Sequence, residues 1–169
     1  MTWQLRRAAT SDLDAIMQLE RATFGSDAWS ADTMRAELEG PHTYYLVAHP
    51  VGQPAELDGY AGLLSPRGAP EADIQTIAVS ERARRRGLGR TLMNALVSEA
   101  RDRGAREVFL EVRADNPGAA ALYANLGFEK LSVRTAYYQP DGIDAHIMRL
   151  RIRTPETTIA SRETGAPDA

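Results

Sequence analysis

The chain has 169 residues, 43% of them hydrophobic and 25% charged, which suits one domain with a single substantial core. It has no cysteine, hence no disulfide framework and no thiolate nucleophile or metal ligand, and no apolar run approaches the ~20 residues that span a bilayer. A net charge of −3 and a pI near 5.6 argue against a dedicated nucleic-acid binder.

The charge is uneven. Residues 1–80 carry five basic and eleven acidic side chains, residues 81–152 thirteen and nine. The basic half suits a polyanionic cofactor and the acidic half a cationic partner, although solvated surface accounts for much of any such imbalance. The first residues enter an alternating pattern without an apolar signal core, so the cytoplasm is the expected location and no membrane partner is expected.

In chain order, Trp3 to Arg6 predicts an edge strand, and Thr10-Ser11-Asp12 supplies a cap and a first-turn acid for a helix with Leu13, Ile16 and Met17 inward. Ser30 caps a second helix carrying Met34 and Leu38, stopped at Gly40-Pro41. In the loop from Phe24 to Trp29 between them, Trp29 either lines a substrate groove or packs into the core. Thr43 to Ala48 and Leu57 to Leu64 are strand-forming runs separated by Pro50, Gly52 and Pro54, and should pair antiparallel.

After a turn from Pro66 to Pro70, an alternating run predicts a third strand of this meander. Ile74, Thr76 and Ala78 fall on one side, and Gln75, Ile77 and Val79 on the other. It breaks at Ser80 into Arg84-Arg85-Arg86-Gly87-Leu88-Gly89-Arg90, beyond which Leu88, Leu92, Leu96 and Ala100 recur at helical spacing. Unpaired N–H groups and the dipole at such a helix start attract an anion, and glycines let a phosphate approach the backbone. A P-loop would need a lysine here, and the single lysine is Lys130. A dinucleotide fingerprint would need a small residue at Leu92.

Past Gly104, Arg106 to Arg113 predicts a strand with Val108, Leu110 and Val112 on one side, parallel to its predecessor by a right-handed crossover. Asp115-Asn116-Pro117 starts a short helix stopped by Gly127, and Phe128 to Thr135 and Asp144 to Ile152 form two strands around a turn from Gln139 to Gly142. Residues 153–169 lack periodicity and predict a disordered tail beyond a domain of residues 1–152. His42, His49 and His146 are dispersed, so no metal site is expected.

The order Arg84-x-x-Gly87-x-Gly89 between a strand and an amphipathic helix resembles the acyl-CoA loop of the GNAT superfamily of N-acetyltransferases. The segments Leu110-Glu111-Val112-Arg113-Ala114-Asp115-Asn116 and Ala121-Leu122-Tyr123-Ala124-Asn125-Leu126-Gly127-Phe128 resemble its RimI branch, as do Tyr137-Tyr138 and Asp144-Ala145 with Met148. The likeness runs from residue 3 to about 152, departing where Gln139 intervenes before Pro140.

The resemblance implies an α/β fold with one mixed sheet of about seven strands, about four flanking helices and splayed parallel strands at the acetyl-CoA site. It implies transfer from acetyl-CoA, without metal, to a protein N-terminus, that of a ribosomal small-subunit protein beginning with alanine. Glu111 would be the base and Tyr123 the acid. The cofactor would meet the backbone of Ile77, Ala78 and Val79, the loop from Arg84 to Arg90, and Asn116. The acceptor would meet Trp29, Tyr137 and Tyr138. From residue type alone, Glu111 also reads as a solvent-facing strand glutamate paired with Arg113 or with nothing, Tyr123 as packing and Asn116 as a cap. A GNAT enzyme acting on a small amine, and a non-catalytic acyl-CoA sensor or partner subunit, are the competing readings.

Overall fold

A computed structural model describes residues 2–153. The predicted tail beyond residue 153 lies outside the described residues. Seven strands form one sheet in the order β1-β2-β3-β4-β5-β7-β6. They are β1 (Trp3–Arg7), β2 (Thr43–Pro50), β3 (Gly59–Leu64), β4 (Glu71–Val79), β5 (Glu107–Arg113), β6 (Glu129–Tyr138) and β7 (Ile143–Arg151). Four helices, α1 (Leu13–Phe24), α2 (Ala31–Glu39), α3 (Leu88–Asp102) and α4 (Pro117–Asn125), cover its faces.

The period of two along each strand splits the core into two layers. In β2, Leu46 and Ala48 join the layer beneath α3, and Tyr45 and Val47 the one beneath α1 and α2. The predicted stripe of Leu88, Leu92, Leu96 and Ala100 is buried to within 1%. Burying a leucine stabilises by about 1.5–3 kcal/mol, and cutting Leu92 to alanine would cost about 2–5 kcal/mol.

The alternation expected for β4 fails at one residue. Gly62 pairs with Thr76 and Leu63 with Ile74, which leaves Gln75 as a bulge. The extra residue inverts the facing of the rest of the strand. Ile74 lies in the α3 layer, whereas Ala78 lies in the α1 layer and Ile77 and Val79 turn towards α3. β4 and β5 are parallel, as expected, but their register ends at Asp73↔Phe109. The strands part where the bulge adds twist, leaving one edge of Ile77–Val79 without a strand partner while the other pairs with Ala61, Tyr60 and Gly59.

Asp12 also departs from expectation. Thr10–Asp12 is a separate 3-10 turn, and the Asp12 carboxylate reaches back to the Ala9 N–H (2.8 Å) and both terminal nitrogens of Arg6 (2.8 Å each). Ser30 caps α2 as predicted, accepting from the Thr33 N–H. The last hairpin extends further than its sequence suggests, because β6 continues to Tyr138 through two irregularities against β7.

Candidate active site

Two cavities meet where β4 and β5 part. The larger, about 1100 Å³, runs from the α3 start along Ile77, Ala78 and Val79 to Glu111, with Asn116 and Tyr123 on its wall. The other, about 850 Å³, is walled by Glu71, Asp73, Phe109, Arg134 and Tyr137. Trp29, Glu111 and Tyr138 line both.

The larger cavity has the features of an anion cradle at one end. Gly87 caps α3 with φ 87°, and Arg85 has φ 60°, and an alternation of hand of this kind favours a concave nest of N–H groups. Thr91 N–H bonds the Gly87 carbonyl (3.0 Å), which leaves the N–H groups of Leu88, Gly89 and Arg90 ahead of it in the first turn, where an α-helix gives them no internal acceptor. Gly89 faces the cleft without strained φ, and a Cβ there would meet only Leu122 Cδ2, at 3.2 Å, and Val79 Cγ2, at 3.9 Å. Arg84, Arg85 and Arg90 line this cavity and Arg86 does not. Arg84 also donates from Nε to the Val79 carbonyl (3.1 Å), tying the loop to the end of β4.

Asn116 is both cap and wall, its Oδ1 accepting from the Ala119 N–H at 3.1 Å. Tyr123 is 7% exposed and packs edge-to-face on Phe128 with centroids 6.1 Å apart. Burial, with a smaller contribution from Tyr138, pushes its phenol up to about 12, so it is neutral and able to donate at physiological pH. Tyr123 therefore packs in the core and also lines the larger cavity.

Glu111 does not pair with Arg113. Its Oε1 lies 3.3 Å from Arg134 Nη1, and its carboxylate raises the Tyr137 phenol by hydrogen bonding and charge. Arg113 instead bonds Asp115 (2.9 and 3.1 Å), Asp141 (3.4 Å) and Asp27, and its guanidinium lies 5.0 Å from the centre of the Tyr138 ring. It ties the α1–α2 loop to the β6–β7 turn across the site. Asp27 stands 86 positions from Arg113, beyond the reach of any local pattern.

Trp29 packs on the α1 layer and lines both cavities, so its two sequence readings are compatible. Its N–H donates to Glu20 Oε1 (3.2 Å), and burial raises the Glu20 carboxyl above its usual range. Tyr137, 47% exposed, and Tyr138 stack edge-to-face at the mouth, 5.1 Å apart. Asp73, the last β4 residue in register with β5, is likewise raised by burial and by Glu71 and Glu111. Nothing in the sequence marked Glu20, Asp27, Asp73, Arg113 or Arg134 as site residues; only the parting of the strands and the loop above it bring them there.

The chain belongs to the acetyltransferase (GNAT) family, whose model matches residues 13–128. Its sheet, helices and splayed strands are those of that fold. Among individual relatives, it is 37% identical over 142 residues to N-alpha-acetyltransferase RimI of Mycobacterium tuberculosis, covering 82% of this chain and 86% of that protein. The crystal structure of the ribosomal-protein-S18-alanine N-acetyltransferase from Escherichia coli superposes with a TM-score of 0.81 at 31% identity, covering 94% of this chain and 99% of that one. A Mycobacterium leprae relative, 38% identical over 142 residues, is longer, and the chain spans 38% of its length.

Proposed function

We propose that the protein transfers the acetyl group of acetyl-CoA to the N-terminal α-amine of a protein, with a ribosomal small-subunit protein beginning with alanine as acceptor. The observation that carries this reading is the junction of the two cavities at Glu111. A cleft with a nest for pyrophosphate and a free β4 edge for an amide-bearing arm opens there into a second, acid-lined cavity for a cationic acceptor.

The cofactor fits the residues present. Leu88, Gly89 and Arg90 offer N–H groups to the pyrophosphate, Arg84, Arg85 and Arg90 add positive charge, and Ile77–Val79 offer backbone groups to the pantetheine. When bound, acetyl-CoA supplies an acyl group activated as a thioester.

An α-amine has a pKa of about 7.7–8.0, so much of it is protonated at neutral pH. Glu111 takes that proton, directly or through one water, and the neutral nitrogen attacks the thioester carbon. A β4 N–H holds the oxygen as negative charge develops on it. As the C–N bond forms and the C–S bond breaks, Tyr123 protonates the departing sulfur, the second proton that the nitrogen sheds on becoming an amide restores the phenol, and Glu111 releases its proton to solvent. With no cysteine to carry the acyl group, transfer is direct.

Trp29 and Tyr138, which line both cavities, and Tyr137 bound the passage of the acceptor, and three large aromatic side chains there favour a small first residue. Asp27, Glu71, Asp73 and Glu111 line the outer cavity against Arg134. A basic second residue should therefore raise the rate at low salt, and added salt should erase that advantage. The test is CoA release with alanine-initial peptides carrying neutral or arginine second residues, compared with spermidine and a lysine side-chain amine. Alanine α-amines are expected to be preferred; preference for either small amine, or for lysine ε-amines, overturns the acceptor assignment.

A further inference from the structure

Asp58 lies immediately before β3, far in sequence from the cofactor loop, yet its carboxylate is fully buried and collects the residues that lead into that loop. Its Oδ1 accepts from Ser80 Oγ (3.0 Å) and Arg82 Nε (2.6 Å), and its Oδ2 from the Trp3 indole N–H (2.9 Å). Its backbone is committed to the same place, the N–H donating to the Ala48 carbonyl (2.8 Å) and the carbonyl accepting from the Ser80 N–H (2.7 Å). Glu56 takes the other end of Arg82 (3.0 Å). Burial alone would raise this carboxyl, but the three side-chain donors and the Arg82 charge outweigh it and hold the group below the usual aspartate range.

Ser80 is the first residue after β4, and Arg82 lies within the 3-10 turn Glu81–Ala83. Beyond that turn only Arg84 to Gly87 remain before α3 begins. The nest must be formed before an anion arrives if its N–H groups are to contribute fully to affinity, since ordering a loop on binding subtracts from the gain. Arg82 belongs to the arginine run but is absent from the cleft wall, its guanidinium turned towards Asp58 and Glu56.

We propose that Asp58 is a positioning residue for the pyrophosphate cradle: by fixing Ser80 and Arg82 it holds the start of the Arg84–Gly87 loop in the conformation that presents its N–H groups to the cofactor. This rests on the assignment of that loop to acetyl-CoA.

The experiment compares acetyl-CoA with S-acetyl-pantetheine, which lacks the pyrophosphate, as donors for the wild type, Asp58→Asn, Ser80→Ala and Arg82→Gln, with folding checked by thermal melting. Asp58→Asn is expected to raise the KM for acetyl-CoA by about tenfold, the scale of losing hydrogen bonds to a charged group, leaving kcat at saturation and kcat/KM for acetyl-pantetheine near wild type. Ser80→Ala and Arg82→Gln, which each remove one bond, should shift the same parameter less, and they carry the test if Asp58→Asn does not fold. An unchanged acetyl-CoA KM in folded variants, or an equal loss with both donors, overturns the proposal. Gly89→Glu serves as the control for the underlying assignment. If it binds acetyl-CoA normally, the loop is not the cofactor site, a failure distinct from an inert Asp58.

Discussion

Arg134 Nη1 stands 3.3 Å from Glu111 Oε1, so the carboxylate at the junction of the two cavities already has a cation beside it. A protonated acceptor amine must share or displace that partner. Arg134 is 57% exposed, so the pair is worth little in water and can yield. Glu111→Gln removes proton acceptance while keeping the side chain's shape. Turnover should fall by ~10²- to 10⁴-fold, acetyl-CoA affinity should barely change, and part of the loss should return at high pH, where the amine is already neutral. Stopped-flow turnover across pH, with calorimetry for the cofactor, checks this; a wild-type rate throughout, with chemistry rate-limiting, removes Glu111 as base.

Tyr123, raised to about 12, remains protonated over the working range. Because the shift favours the neutral phenol, loss of the acid begins only towards that pH. At saturating acceptor, the wild-type kcat should show no falling limb from loss of this acid below about pH 10. Tyr123→Phe should slow turnover with little effect on melting, since only the hydroxyl is lost. A falling limb near neutrality that vanishes in Tyr123→Phe would show that the phenol titrates there and that burial does not hold it neutral.

Gly89 tests the cradle itself. The nearest obstacle to a Cβ is the flexible end of Leu122, and the backbone is unstrained, so Gly89→Ala should be tolerated. Gly89→Glu sets a carboxylate where the pyrophosphate should lie and is expected to abolish acetyl-CoA binding with the fold retained. Calorimetry on the folded variant decides.

Asp12 couples stability to pH. Hydrogen bonding from Arg6 lowers its pKa, opposed by burial and helped by the Ala9 N–H. A carboxyl depressed in the folded state stabilises fully above its unfolded pKa of about 3.9, and that contribution disappears as pH falls through the folded value. Asp12→Asn, which removes the charge paired with Arg6, should therefore cost up to about 1 kcal/mol at pH 7, a few degrees in melting temperature, with the difference closing in acid. A gap that persists undiminished at pH 2 would assign the effect to packing instead.

Period and punctuation made most of the fold legible. Leucines four apart set α3, alternating strands set the meander, and Asn116-Pro117 set the start of α4, because each signal is local and its physics operates within a few residues. The same holds for the glycine–arginine loop before α3, whose residues fall within one short segment. The bulge at Gln75 was not legible, since a two-residue period continues across it in sequence and only pairing with β3 exposes the extra residue.

What the chain alone determined, then, is the sheet-and-helix order, the nest at the start of α3, and the presence of a glutamate and a tyrosine of suitable chemistry on β5 and α4. Tertiary structure decided what those groups meet. Parting of β4 from β5 after Asp73↔Phe109 opened the cleft, the pairing of Glu111 with Arg134 rather than Arg113 fixed the charge beside it, and Arg113 was drawn to Asp27 and Asp141 to close the loop above. These contacts join residues many positions apart, and side-chain electrostatics act through space, so no pattern along the sequence encodes which carboxylate an arginine will find.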